Sequence, residues 1–491
     1  MKKNTLKFSP LQFGNLWLFL PLLLLLLYGP QMLVGIFIFG DKAAYELVGV
    51  MTFGVIVYVS VCVGLSKLNI SSTFAKSQPA RLAISTDAAV AFIFVTYFFV
   101  IAYAVLTSER VALLEALSGA SVDDIVFARE ALFKNRVGWE KSLPYINAML
   151  SSALMPFALA ICYVEKKPWR HGLLILFAVS LLPSLEKALI LKALLPIVLL
   201  GFNGYFSKRN IIYVAATIVV VIGAMFFVAK VGKIDATSEN EKSIKMLELQ
   251  KTSLLEMNKS NQKSVEDLNL QIRSLEKKEI KSYEEKKLAL EKQINFQIYI
   301  QAKQISSGLE SVDKQLIYYK NAVRYVHKYF VFGPGQLNFL LNRVFWIPYV
   351  TAYDWLGYFN ERLNGKLLLG RTSSLLAAIA GQSQFPMERE VFKYQFGEGG
   401  PQTAAANGVF LADAFVNFGW YGVLIYATLF ALLTKIVMMQ SNPAMQACYY
   451  YFALQISMGG MPGVLFSNGM LLLVGLSFLV RPALNRNTEA I

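Results

Sequence analysis

The residues best equipped for chemistry gather in one stretch, 333–438, where arginines, carboxylates, amides, aromatics and glycines mix before the chain enters an apolar run. Arg343, Arg371 and Arg389 carry the planar fork that suits anionic oxygens. Asp354, Glu388, Glu390 and Asp413 can accept a proton from a hydroxyl. Asp413 stands at the head of the apolar run, where a lone carboxylate is costly and tends to be functional. Two pieces stand out. The first is Asn342-Arg343-Val344-Phe345-Trp346-Ile347-Pro348, followed by Tyr353, Asp354, Trp355, Tyr358 and Phe359. The second runs from Asn407 through Asp413 and Asn417-Phe418-Gly419-Trp420-Tyr421-Gly422 into Val423–Leu433. Each has a plainer role beside the chemical one. Arginines at a membrane boundary snorkel, an aspartate near a helix start complements its dipole, and glycines let helices approach closely.

Much familiar chemistry has no anchor here. The chain has no Walker loop, GxGxxG, HExxH, CxxC pair or GxSxG, so phosphate-loop, zinc and serine-hydrolase readings fall away and no cofactor or metal is expected. The two histidines are His171, in a basic loop, and His327, in the aromatic and basic stretch Tyr325-Val326-His327-Lys328-Tyr329 that suits a headgroup anchor. Cys62, Cys162 and Cys448 each sit inside an apolar run, which offers no disulfide framework. A net charge of +15 would suggest nucleic acid in a soluble protein. Here the basic residues flank apolar segments, where they set orientation and attract headgroups instead, so nucleic acid is discounted.

The elements that must position these residues are membrane helices. Hydrophobic residues make up 55% of the 491 and charged residues only 16%, against about a quarter charged in a soluble domain. With roughly 20 apolar residues needed per span, runs near 12–30, 44–65, 87–106, 144–164, 211–230, 409–438, 444–462 and 464–480 qualify, the first read as an uncleaved helix. The stretch 172–206 is interrupted by Pro183, Glu186, Lys187, Lys192 and Pro196, which predicts two short helices or a broken pair. The expected fold is all-α, a polytopic bundle of about ten transmembrane helices. The basic loops put both termini on the cytoplasmic side and 107–143 and 231–408 outside.

Between about 238 and 322 the composition turns to Lys, Glu, Gln, Ser and Leu, without proline or glycine until Gly308. Ile244, Leu247, Leu254, Val265, Leu268, Ile272 and Leu275 fit one heptad frame, interrupted by Lys251, Asn258 and Asn261; Ile294, Ile298, Ile305, Val312 and Leu316 fit a second. The frames do not join across Lys277–Lys287, as a reversal or a stutter would produce. One unbroken helix would reach roughly 120 Å at 1.5 Å per residue, yet the chain must return to the membrane, so an extracytoplasmic coiled-coil hairpin is expected. The expected divisions are 1–232, membrane helices; 233–322, the coiled-coil insertion; 323–408, an outer loop with interfacial helices; and 409–491, the last membrane helices.

These features resemble the Wzy-type oligosaccharide repeat-unit polymerases of bacterial O-antigen, capsule and exopolysaccharide assembly. That family carries an arginine, an aromatic or apolar pair and a proline, matched by Arg343–Pro348, and an acidic or aromatic residue before Asn-Phe-Gly and a second glycine, matched by Asp413 and Asn417–Gly422. Ser184-Leu185-Glu186-Lys187-Ala188 resembles its Ser/Lys-containing middle hairpin. The likeness covers about 12–232 and 325–480; the heptad insertion departs from it. The resemblance implies a GT-C-like glycosyltransferase at the outer face of the bacterial cytoplasmic membrane, acting on undecaprenyl-pyrophosphate-linked glycans. Taken with the chemistry of the side chains on the outer side, it makes Arg343, Asp413 and Arg371 the expected catalytic residues and Arg389, Asp354, Tyr353, Asn407, Asn417, Lys187 and His327 the expected substrate-binding ones.

The related O-antigen ligases usually carry an outer histidine followed by Ser or Asn, whereas His327 precedes Lys328. A transporter should show paired discontinuous helices in its two halves, and one interrupted pair is visible. A scaffold would use the hairpin to recruit a partner. By analogy, residues 240–318 dock a chain-length regulator or another envelope assembly protein.

Overall fold

The computed structural model describes residues 11–67, 85–120, 122–133, 136–184, 187–205, 212–214, 216, 236–276, 283–329, 331–332, 338, 341–399, 404–440 and 442–480. Among them the secondary structure is helical, without a strand. Among the described residues five helices are long and apolar enough to cross a membrane: Phe13–Ile38, Lys42–Lys67, Thr86–Leu106, Gly138–Val164 and Phe410–Met439. Their outward faces are apolar too. Phe37, Phe92 and Phe99 are 89%, 72% and 70% exposed, which suits lipid and not water.

Other apolar runs make shorter helices. Residues 172–206 become Arg170–Ser180, a single turn Leu182–Ser184, and Lys187–Phe202 with Pro196 inside it. The run 444–462 forms a 14-residue helix, Pro443–Ile456, about 21 Å long at 1.5 Å per residue. Glycines at 459 and 460 and Pro462 end it, and Met470–Leu479 follows a π-helical turn, Gly463–Ser467. The run 211–230 lies almost wholly outside the described residues.

The chain divides into two compact units. The first contains residues 1–233, 348–385 and 407–491. Its most extensive packing joins the Phe410–Met439 helix to Lys42–Lys67. Glycines allow the approach: a Cβ on Gly54 would stand 2.5 Å from Leu411 Cδ2, and one on Gly49 would stand 3.1 Å from the Trp420 ring. Pro443–Ile456 is buried along nearly its whole length, against Lys187–Phe202 and Met155–Val164. Arg136, unremarkable in the sequence, closes the end of Thr86–Leu106. Its side chain is 7% exposed, and its guanidinium donates to the carbonyls of Ala104 at 2.8 Å and Leu132 at 3.1 Å and to Thr107 Oγ1 at 2.7 Å.

The second unit holds residues 234–347 and 386–406, so the expected region 323–408 is shared between units. The Ala236–Glu276 helix packs against Ser306–Tyr329. They run antiparallel: Lys320 pairs with Glu248 at 3.0 Å and Lys251 with Asp313 at 2.6 Å, and the preceding helix, Tyr283–Ile300, continues the pairing where Asn261 Nδ2 donates to the Gln297 carbonyl at 2.9 Å. Leu247, Val312 and Leu316 form the buried seam. Residues 277–282, which join the helices, lie outside the described residues. Ile298, placed in the second heptad frame, is 47% exposed, whereas Ile305 is 2% exposed. A π-helical turn at Gln301–Ile305 separates them, and the extra residue in that turn rotates the later positions onto the seam.

Candidate functional site

One glycine organises the candidate site. Gly419 lies inside the Phe410–Met439 helix with φ 63° and ψ −149°, a conformation essentially confined to glycine. The helix therefore breaks there, and the carbonyls one turn earlier lose their usual i+4 donors. Two of them are taken over by a distant segment. Leu368 N–H donates to the Val416 carbonyl at 3.1 Å, and Leu369 N–H donates to Asn417 at 2.9 Å. The kink also folds the helix onto itself, so that a Cβ on Gly422 would stand 2.2 Å from the Ala414 carbonyl oxygen.

Side chains complete the join. Asn417 is fully buried. Its Oδ1 accepts from Gly370 N–H at 2.9 Å, and its Nδ2 donates to Thr372 Oγ1 at 2.7 Å and to Asp413 Oδ1 at 3.0 Å. Thr372 in turn donates to Asp413 Oδ1 at 2.7 Å. Asp413, 2% exposed, thus has two donors on Oδ1. Its Oδ2 faces Gly460, 3.2 Å from where a Cβ would stand. A buried carboxylate is tolerated when hydrogen-bonded in this way.

The docked segment carries Arg371, which follows Gly370 (φ +88°) and precedes Thr372. Its backbone N–H donates to the Leu368 carbonyl at 3.1 Å, and its own carbonyl accepts from Phe385 N–H at 2.8 Å. The side chain is half-buried. Its Nε donates to the Ser383 carbonyl at 3.1 Å, and its guanidinium lies 6.0 Å from the Phe385 ring centroid. Ser373 caps the short helix Ser374–Ile379 that continues the segment.

Of the residues singled out in the sequence, Asp413, Asn417 and Arg371 therefore belong to one assembly. Tyr353 and Asp354 lie on the Ile347–Glu361 helix. Tyr353 donates to Asp41 Oδ2 at 2.5 Å, and Asp354 is 2% exposed. Asn407 is exposed in the loop before Phe410–Met439. In the second unit, Arg343 is exposed on a π-helical turn, Asn342–Trp346. Arg389, on the Met387–Phe396 helix, donates to the Ala404 carbonyl at 3.3 Å. Glu390 pairs with Lys393 at 2.7 Å, and the Glu388 carbonyl accepts from Ala406 N–H at 2.9 Å. Lys187 begins a helix and His327 lies within one, their side chains being outside those described. His171 Nδ1 is 3.0 Å from the Tyr163 hydroxyl.

Thr372 and the amides of Leu368–Gly370 are participants that the sequence did not reveal. The available signals were the turn dipeptide Asn364-Gly365 and the isolated Gly370 beyond it, which suggest a loop but name no partner. Among the described residues no group of three or more His, Cys, Asp or Glu could hold a metal ion. No protein-family model matches the chain, and no curated protein or solved structure matches it either.

Proposed function

We propose that the chain polymerises undecaprenyl-pyrophosphate-linked oligosaccharide repeat units at the outer face of a bacterial cytoplasmic membrane. The observation that carries this reading is the pairing of chemistries at the kink. A segment bearing a half-buried arginine is hydrogen-bonded to a helix that is long and apolar enough to cross a membrane, beside that helix's buried carboxylate. Glycan transfer from a pyrophosphate lipid needs both. The acceptor hydroxyl loses a proton as its oxygen bonds to the donor's anomeric carbon, and Asp413 Oδ2 takes it, since Oδ1 already receives Thr372 and Asn417. The bond from that carbon to the pyrophosphate oxygen breaks, and the lipid pyrophosphate leaves with the electron pair. The Arg371 guanidinium stabilises the developing charge while its Nε is held by the Ser383 carbonyl and its face by the Phe385 ring. Thr372 and Asn417 are positioning residues, fixing the segment on which Arg371 is carried.

In the same reading the membrane part comprises about ten spans with both termini cytoplasmic. The antiparallel helices of the second unit form an extracytoplasmic coiled-coil hairpin, the docking element for an envelope assembly partner.

Glycan profiling of the source bacterium tests the reaction. Deleting the gene is expected to collapse the polysaccharide ladder to single repeats, and wild type restores it. Arg371→Ala and Asp413→Asn, at wild-type abundance, are expected to lose polymer by roughly two orders of magnitude, the scale of one lost charge-stabilising group. Arg371→Lys keeps the charge without the fork and should recover only part. Full-length polymer from both variants, or an unchanged ladder on deletion, would sink the proposal.

A further inference from the structure

A second, differently built site lies in the first unit. The Thr86–Leu106 and Arg170–Ser180 helices border an open cavity of about 580 Å³, within the range of lipid- and ligand-sized pockets. Val90, Phe94 and Leu173 line its apolar part, and Asp87, Lys167 and Trp169 line its polar end. Trp169 is 41% exposed, an amphipathic ring of the kind that settles at headgroup depth.

The charges at the polar end are arranged asymmetrically. Lys167 Nζ is 3.1 Å from Glu165 Oε2 and 2.7 Å from Asp87 Oδ1. The Glu165 side chain is 6% exposed and accepts from Thr86 Oγ1 at 3.2 Å, so it is fixed from within. The Asp87 side chain is 64% exposed and can turn outward. One ammonium is thus held by an inner carboxylate and covered by an outer one that can be displaced.

We propose that this cavity binds an aminophospholipid such as phosphatidylethanolamine. The acyl chain follows Val90, Phe94 and Leu173. The phosphate replaces Asp87 on Lys167, which Glu165 continues to hold, and the released Asp87 carboxylate takes the lipid's ammonium. One protein ion pair is exchanged for two protein–lipid pairs, and no charge is left unmatched. A phosphatidylglycerol headgroup fits less well: its phosphate can reach Lys167, but it brings no cation for Asp87 and sets two negative groups side by side. Complementarity to a zwitterion therefore decides the headgroup.

Native mass spectrometry of the full chain, from mixed micelles holding equal phosphatidylethanolamine and phosphatidylglycerol with identical acyl chains, tests this. Wild type is expected to retain phosphatidylethanolamine about three- to fivefold better, the scale of one partly exposed ion pair. Asp87→Asn should bring that ratio to one or below. Leu173→Trp, which fills the cavity without touching a charge, should lower retention of both lipids. Circular dichroism and chromatographic profile confirm that each variant is folded. Equal retention by wild type, a preference that survives Asp87→Asn, or unchanged retention by Leu173→Trp would overturn the proposal.

Discussion

The helix pair of the second unit and the kinked helix of the first both hold distant segments together, by opposite means. In the pair, the work is spread along a seam of aliphatic side chains, Leu247, Val312 and Leu316, with ion pairs at the margin. Any residue of similar volume and polarity serves there. At the kink, the work is concentrated in backbone geometry. Gly419 takes a conformation closed to other residues, and the carbonyls it frees recruit Leu368 and Leu369. A seam tolerates change in proportion to volume, whereas a kink of this kind depends on the absence of single atoms.

That contrast is most severely tested at Gly422. Valine there places a Cβ at 2.2 Å from the Ala414 carbonyl, and the backbone must move, at about 3 kcal/mol. Gly419→Ala adds one methyl group in open surroundings, since the nearest side-chain atom to a Cβ would be 3.9 Å away. Its cost is conformational, about 2 kcal/mol. Hydrogen exchange with mass spectrometry should show the Leu368 and Leu369 amides exchanging roughly 30-fold faster in Gly419→Ala. Unchanged protection would mean that the kink does not govern the docking. In the seam, Leu316→Ala should cost about 2 kcal/mol, at the low end for a buried leucine because the seam is one layer thick. Leu316→Met should cost less than about 1 kcal/mol. If methionine proved as damaging as alanine by exchange across 306–329, the seam would be as exacting as the kink and the comparison would fail.

The same division explains what could be read in the sequence. Helices that follow from an apolar run were legible: the runs 44–65, 87–106 and 409–438 became Lys42–Lys67, Thr86–Leu106 and Phe410–Met439. The run 444–462 misled because composition measures hydrophobicity, not length, and glycines 459 and 460 stop that helix early. Ile298 misled for a related reason: a heptad count assumes a regular helix, and the π-helical turn at Gln301–Ile305 is invisible to it. At the candidate site, Asp413 and Asn417 were legible as polar residues in apolar surroundings. Thr372 was not, because its bond to Asp413 spans 41 residues. Gly419 was visible as a glycine and read as a packing residue; its role comes from φ, which residue type permits but does not dictate. Arg136 escaped because its partners are mainly backbone carbonyls, which leave no mark in a sequence.

The smallest expected effect concerns the margin of the second unit, where Lys314 lies 2.8 Å from Glu310 and 3.7 Å from Glu398. The hydrogen bond and charge of Lys314 lower the Glu310 pKa below its ordinary value. A depressed carboxylate pKa gives stability that is present above the unfolded pKa and lost as pH falls through the folded one. Acidification from neutrality should therefore loosen this margin, and the loss should come as the pH falls through the lowered Glu310 pKa. Because these side chains are solvated, the change is confined to local exchange around Glu310. Lys314→Met removes the lysine's charge but keeps an unbranched stem, so it should abolish that acid-induced loosening, leaving the margin as open at neutrality as the wild-type margin is in acid, with the seam amides at Val312 and Leu316 still protected at neutrality. Loss of seam protection in Lys314→Met at neutral pH would show that marginal charges, and not buried aliphatics, hold the helix pair together.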